Sequence, residues 1–312
     1  MDFNKADISA LIKAKALALG FNGVGISKAE KIEGFTEVLD SWLNKGYHAG
    51  MDYMQRNIDM RSDPRALVPE AKSVISLIIS YYPEKLQNYH VPQIAKYAYG
   101  TDYHFVLKDK MKELWKHIEI HVPALNGRMF VDSAPVSDKL WAVKAGLGWL
   151  GKNSCLINKE IGSFVFICEL IVSIELEYDE PYPSNFCGSC TKCIDECPTG
   201  AIVQPGIIDS NKCISYQTIE NKAETIDAQL HGAFGNRIFG CDTCQDVCPW
   251  NKSPLTTQVQ EFTPTDRFYT LDSAAWLQMN DAEFNLQFKK SALKRAKLSG
   301  LKRNYNFIQA MD

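Results

Sequence analysis

No stretch of this 312-residue chain is long and apolar enough to cross a membrane. A spanning helix needs about 20 consecutive apolar residues. The nearest candidates are Val74–Tyr82, which serines interrupt, and Phe164–Ile174, which Glu169 interrupts. Charge of one sign is also missing: the formal net charge is −3, so no basic excess advertises nucleic acid. No Ser, His and Asp grouping suggests a nucleophilic triad, and the six histidines are expected to include no metal pair at helical spacing. No targeting segment is recognised, and the cysteines are clustered rather than scattered, which argues against a disulfide framework. A reducing cytoplasm is the expected compartment, with no membrane partner. The hydrophobic fraction of 46% and charged fraction of 23% are those of an ordinary globular protein.

What the chain does hold is ten cysteines, seven of them in two runs. The first is Cys187-Gly-Ser-Cys190-Thr-Lys-Cys193-Ile-Asp-Glu-Cys197-Pro198. The second is Cys241-Asp-Thr-Cys244-Gln-Asp-Val-Cys248-Pro249, and Cys213 stands between the two. The first run has the C-x2-C-x2-C-x3-C-P spacing that holds [4Fe–4S] clusters, whose fourth thiolate serves the other cluster. Crossed ligation follows. One cluster takes Cys187, Cys190 and Cys193 with Cys248; the other takes Cys241 and Cys244 with Cys197. The second set is one thiolate short, and Cys213 is the available supply. Structural zinc is the alternative, since paired C-x2-C spacings also bind it. The four-cysteine run with its proline favours iron–sulfur. Cys155 and Cys168 lie outside the runs and read as small buried residues.

Periodicity predicts helices over residues 5–19, 35–43, 105–120 and 135–145 and strands over 24–26, 74–82, 128–131, 154–157 and 163–174. The last two strands could form a hairpin through Asn158–Gly162. This is an α/β (α+β) pattern with enough strands for one central sheet. The expected division is a first domain over 1–174, a cluster module over 175–254 entered through the proline-bearing Glu175–Phe186, and a short helical tail over 255–312. The tail should carry helices near 271–278 and 284–298. Its Lys289, Lys290, Lys294, Arg295, Lys297, Lys302 and Arg303 form a basic segment without an acid. That segment is either a phosphate-binding face or a solvated one.

Outside the cysteines, Gly146-Leu-Gly148-Trp-Leu-Gly151 has G-x-G-x-x-G spacing, but a helix precedes it and a strand follows. That order excludes a dinucleotide fold. The glycines either let backbone approach something flat or form a turn around Trp149 as a core anchor. Asp132 ends a strand, where it is either a catalytic group or a cap of the helix near Pro135. Arg56, Arg61 and Arg65 could bind anions, or pair with Asp59 and Asp63.

Several segments agree with one family. They are Arg61-x-x-Pro64 with Leu67-Val68-Pro69-Glu70-Ala71-Lys72, then Tyr99-Gly100-Thr101-Asp102-Tyr103-His104, then Val131-Asp132-Ser133-Ala134-Pro135. Ala145–Asn153, the cysteine runs with Cys213-Ile214-Ser215-Tyr216, and Gly300-Leu301-Lys302-Arg303-Asn304 complete the set. Over about residues 5–305 the chain resembles the epoxyqueuosine reductases of queuosine synthesis in tRNA. That resemblance implies a cobalamin in the N-terminal domain beside two [4Fe–4S] clusters. It implies reduction of a tRNA-borne epoxide to a cyclopentene, with Asp132 as proton donor. Arg61, Ala95, Asp132, Leu156, Ile167, Ser215 and Gln217 become cofactor-binding candidates, with Tyr216 beside them. The partners implied are a tRNA anticodon loop and an external electron donor, and a monomer is expected. D-x-H-x-x-G, the segment that replaces cobalamin's lower ligand with histidine, is absent. The runner-up is a related reductase of the reductive-dehalogenase type acting on a small molecule. A plain electron carrier would not need so large a first domain.

Overall fold

The computed structural model describes residues 4–123 and 125–310, so the outermost residues of the first and last expected segments lie outside it. Helix α1 (Lys5–Ala18) begins where the Asn4 side chain accepts the Ala6 N–H. Its Ile8, Ile12 and Ala16 form one buried stripe, as a 3.6-residue period requires. Strand β1 (Gly23–Lys28), helix α2 (Phe35–Asn44) and strand β2 (Ser73–Ser80) follow. After them come helix α3 (Tyr103–His121), strand β3 (Gly127–Phe130), helix α4 (Asp138–Lys144) and strand β4 (Val165–Val172). The four strands make one antiparallel sheet in the order β1-β2-β4-β3.

Both faces of the sheet are covered, which is why β2 is buried at all eight positions and reads as a continuous apolar run. One face, with Ile75, Leu77, Cys168 and Leu170, packs on α1 and on Leu107, Met111 and Leu114 of α3. The other face lies under α4. There Val74, Phe130 and Ile171 meet Trp141, and Ile78 meets Ala142, Ala145 and Leu147. Each such fully buried side chain contributes about 1.5–3 kcal/mol. Gly25 permits the approach of α4, since a Cβ there would run into the Ala145 carbonyl.

Three expected elements differ. The helix expected from Pro135 starts only at Asp138, because a tight turn at Asp132 and a second at Ala134–Val136 occupy the intervening residues. Asn158 and Gly162 do exchange backbone hydrogen bonds of 2.9 and 3.0 Å. However, Leu156–Ile157 pairs with Trp149–Leu150 rather than with β4. The helix expected over 284–298 is broken. Helices α5 (Ser273–Gln278) and α6 (Asp281–Gln287) are followed by a 3-10 turn at Ala292–Arg295 and helix α7 (Lys297–Gln309). Ser291 caps the turn, and Lys297 takes a φ of 61°, which stops helix continuing through.

Residues beyond 255 build a second core. Phe268, Trp276, Phe284, Phe288, Leu293 and Leu301 pack against Ile94, Tyr99, Ile238 and Phe239. The acidic connection 175–186 is pinned as well, because Asp179 accepts the Ile26 N–H and pairs with Lys13. Among the described residues no helix is long and apolar enough to cross a membrane.

Candidate active site and cluster-binding loops

Strand β3 delivers the chain into a γ-turn centred on Asp132. The Ser133 N–H donates to the Val131 carbonyl, and Asp132 has a φ of 54°. A non-glycine residue in that conformation costs roughly 1–3 kcal/mol, a strain typical of functional positions. The Asp132 carboxylate caps no helix: it accepts the Tyr103 hydroxyl at 2.7 Å, and its side chain is 61% exposed. The helix-cap alternative is thereby overturned.

Helix α3 sets the partners of Asp132. Asp102 caps it by accepting the His104 N–H at 3.0 Å and also contacts His104 Nδ1 at 2.7 Å. Burial works to raise the Asp102 pKa, but these hydrogen bonds outweigh it and hold the group low. His104 Nε2 lies 3.7 Å from Asp132. The Tyr103 ring is stacked on Phe166, with centroids 4.3 Å apart and planes 12° from parallel. Burial, and then the Asp132 charge, push the Tyr103 hydroxyl far above its ordinary pKa, so it stays a donor. Tyr53 and Tyr97 are raised by burial first and by Asp132 among their neighbours.

Arg61 stands near Asp132, and both charges bear on Tyr53 and Asp138. Its guanidinium reaches the Tyr53 carbonyl at 3.2 Å and the Arg56 carbonyl at 3.4 Å, and no carboxylate among the described residues pairs with it. It is therefore a half-buried cation still able to take an anionic or amide-bearing ligand. Arg65 follows the ordinary reading, paired with Asp63 at 2.7 Å. Leu156 packs under α4 with Ile167 partly buried beside it. Ala95 abuts Gly240, where an added Cβ would come within 2.5 Å of the Ala95 Cβ. Ser215 precedes a π-helical turn over Tyr216–Glu220. The Tyr216 hydroxyl accepts the Gly50 N–H. Gln217 Nε2 donates to the Asn211 carbonyl and its Oε1 accepts from Asn221, while its backbone N–H and carbonyl are taken by Cys213 and Arg303.

None of the ten cysteines forms a disulfide. The Cys193 thiol is raised by burial, then by the proximity of Cys187, Cys248 and Cys190. The Cys213 thiol is likewise raised by burial, with Cys241 and Cys197 as neighbours. Cys193 thus lies within electrostatic reach of Cys187, Cys190 and Cys248, and Cys213 within reach of Cys241 and Cys197, although no three of these side chains among the described residues converge on a single metal ion. Such sulfur-lined sites fit clusters that require thiolates. Cys168 is buried, as expected, but Cys155 is not inert packing. It is half-buried, and the nearness of the Cys244 thiol draws its own down to about 7.

The glycine-rich segment seats these loops. Gly148 has a φ of 152°, and a Cβ there would strike the Ile157 carbonyl, so what comes close is protein backbone rather than a flat ligand. Trp149 is buried with Cys248, Cys187, Tyr182 and Trp250 around it. Just beyond, Lys152 donates to the Gly188 and Cys190 carbonyls at 2.7 and 3.0 Å, and Asn153 donates to the Cys244 carbonyl at 3.1 Å. One turn of the first domain therefore clasps both cysteine runs.

The basic segment is not one uniform face. Arg295 makes a two-pronged pair with Glu220, Lys302 donates to the Leu277 carbonyl, and Arg303 donates to the carbonyls of Gln217, Asn221 and Ala223. Lys289, Lys290, Lys294 and Lys297 are exposed. The histidine expectation also needs correction. His117 and His121 stand one turn apart on α3, with ring centroids 5.2 Å apart and the His121 ring against the His117 carbonyl.

A family profile described as a 4Fe-4S double cluster binding domain matches residues 186–251. With an α+β domain clasping that module, the class is an iron–sulfur redox enzyme. A second profile, described as epoxyqueuosine reductase QueG, DUF1730, matches residues 61–133. The epoxyqueuosine reductase of Cyclobacterium marinum is 49% identical over 301 residues, 96% of this chain and 96% of that one. The chain belongs to the epoxyqueuosine reductase family and is an oxidoreductase. An epoxyqueuosine reductase solved with an epoxyqueuosine-modified tRNA stem loop superposes with a TM-score of 0.90 at 29% identity, covering 98% of this chain and 82% of that one. The Bacillus subtilis epoxyqueuosine reductase, solved with a catalytic aspartate loop swung out of its active site, gives a TM-score of 0.91 at 28% identity with the same coverage.

Proposed function

We propose that this chain reduces epoxyqueuosine to queuosine in the anticodon loop of tRNA. One observation carries the proposal: the 49% identity to an epoxyqueuosine reductase over nearly the whole of both chains. The neighbour that holds a modified tRNA stem loop supports tRNA as the substrate. In this reading residues 1–174 bind cobalamin and the substrate, 175–254 carry the two clusters, and the helices beyond 255 brace both. One cluster is held by Cys187, Cys190, Cys193 and Cys248, and the other by Cys197, Cys213, Cys241 and Cys244. Arg61, Ala95, Leu156, Ile167, Ser215 and Gln217 line the cobalamin. When bound, clusters and cobalamin supply single electrons and a strongly reducing cobalt, the hard chemistry that cofactors bring. The work left to the chain is to orient the splayed base, exclude water and deliver protons. Asp132 supplies the proton where oxygen charge develops. Tyr103 aims it, and His104 stands beside it, itself held by Asp102. Exposed Lys289, Lys290, Lys294 and Lys297 meet tRNA phosphates. The enzyme works as a cytoplasmic monomer and takes electrons from an external donor.

The test is anaerobic reconstitution with iron, sulfide and cobalamin, then incubation with tRNA bearing epoxyqueuosine. Nucleoside mass spectrometry should report queuosine. A fully loaded protein that converts none overturns the proposal.

A further inference from the structure

Glu169 is the least expected residue in the molecule. It is fully buried in the middle of β4, opposite Ser76 of β2 and Phe130 of β3. Neither of its carboxyl oxygens receives a hydrogen bond from a donor among the described residues, and neither does the enclosed Oδ1 of Asp138. The two carboxyls lie against each other across the interface between β4 and the first turn of α4. Two carboxylates cannot bond one another, since both only accept; one carboxyl must carry the proton. Burial, and then each group's proximity to the other, raises the pKa of Glu169. Burial is also the main cause that lifts Asp138 to about 7.

The surroundings compensate the pair only weakly: Lys139 from α4 and Arg61 from the short helix Ile58–Ser62 face it and oppose the rise of Asp138, while Asp132 from the γ-turn and Cys168 from β4 itself add no positive charge. Lys139 donates to the Ser154 carbonyl, and Arg61 donates to the Tyr53 and Arg56 carbonyls. Asp132 is a like charge and favours the protonated pair. It is also close in the chain: the turn bearing it leaves β3 directly after Phe130, and the same short link ends at Asp138. Ser137 tethers that link by donating to the Arg61 carbonyl at 2.8 Å.

The chemistry asks for such a pair. Converting an epoxide to an alkene breaks two C–O bonds, forms the C=C bond and releases the oxygen as water. The balance is one epoxide, two electrons and two protons. The electrons come from the external one-electron donor through the clusters. Asp132 holds one proton at most. We propose that Asp138 and Glu169 share a stored proton and pass it to Asp132, supplying the second proton of each turnover. This rests on the epoxide-reductase reading above. Neither residue touches substrate, so both act through Asp132, and the store refills from solvent between turnovers.

The test uses the cluster- and cobalamin-loaded protein with Glu169→Gln, whose amide can donate to Asp138 in the same space. Infrared difference spectroscopy at neutral pH should show a protonated-carboxyl carbonyl band in the parent that Glu169→Gln abolishes. Binding of modified stem loop should be unchanged. The kcat should fall about tenfold or more, and the deficit should widen as pH rises, because bulk water then supplies the second proton. Absence of the band in the parent overturns the shared proton. A Glu169→Gln enzyme with the parental kcat, or with a deficit constant across pH, overturns the supply role and leaves a packing one. If Glu169→Gln does not fold, Asp138→Asn takes its place with the same criteria. A parent that converts no epoxide refutes the functional reading instead, and the infrared band then decides the shared proton by itself.

Discussion

Arg303 looks like a phosphate-binding residue in the sequence and acts as an internal strut in the fold. Replacing it with methionine keeps the apolar stem and removes the guanidinium. Five donated hydrogen bonds disappear: to the carbonyls of Gln217, Asn221 and Ala223 at 2.8, 2.8 and 2.7 Å, and two to the Oδ1 of buried Asn304 at 3.1 and 2.7 Å. A hydrogen bond to a charged group is worth about 1.5–3 kcal/mol. The lower figure applies because the guanidinium is only half-buried, and the exposed Ala223 carbonyl can rehydrate. Three acceptors left without it, Gln217, Asn221 and Asn304, at about 1.5 kcal/mol each therefore give a loss of about 4.5 kcal/mol. With a urea slope of about 3 kcal/mol per M, the unfolding midpoint should fall by about 1.5 M. The assay is anaerobic urea denaturation of the cluster-loaded protein followed by tryptophan fluorescence. Affinity for a tRNA stem loop, and its dependence on salt, should stay near the parental values in Arg303→Met. Neutralising Lys294 and Lys297 should weaken that affinity and flatten its salt slope. A midpoint shift under about 0.3 M, or a flattened salt slope in Arg303→Met, would refute the strut.

Further outcomes are expected elsewhere. Asp132→Asn should bind cofactors and stem loop normally and lose about 100-fold or more of turnover; unchanged turnover returns Asp132 to a structural part. Cys213→Ser should show one damaged and one intact cluster by electron paramagnetic resonance, and two intact clusters would sink the ligand assignment. The buried pair should also shape stability. Asp138 is raised to about 7 and Glu169 is raised as well, so between about pH 4 and pH 7 the folded state binds more protons than the unfolded chain. Stability contributed by the pair is then full at the low end and lost as pH rises. Denaturation midpoints should fall across that window in the parent and fall less in Glu169→Gln; parallel falls would contradict it.

Much of this was legible in the sequence, for a physical reason. Cluster ligands come at fixed local spacings, so Cys187–Cys197 announces itself. The apolar run of β2 is equally plain. Contacts made across the fold are not. Tyr103 reaches Asp132 over 29 residues, and only the tertiary arrangement reveals that Asp132 is no helix cap. Arg303 reads as free charge because nothing local shows the carbonyls that absorb it. Glu169 was visible as the one acid within an apolar strand. That signal argued against a membrane span, but it also marked a buried carboxyl needing a partner. His117 and His121 are four residues apart in the sequence, a spacing that puts both rings on one side of a helix.

The clasp made by Lys152 and Asn153 has a consequence for how the protein is made. Both residues leave the ribosome before either cysteine run. At about 5–20 residues per second, Cys190 follows Lys152 by about 2–8 s and Cys244 follows Asn153 by about 5–18 s. The sheet closes only once β4 has emerged, still ahead of Cys187, so the anchorage can form as the thiols arrive. The two runs arrive one after the other at that anchorage, where iron and sulfide meet ordered loops instead of a loose chain. A truncated protein that begins after Asn153 would present the same thiols with nothing to hold them in register.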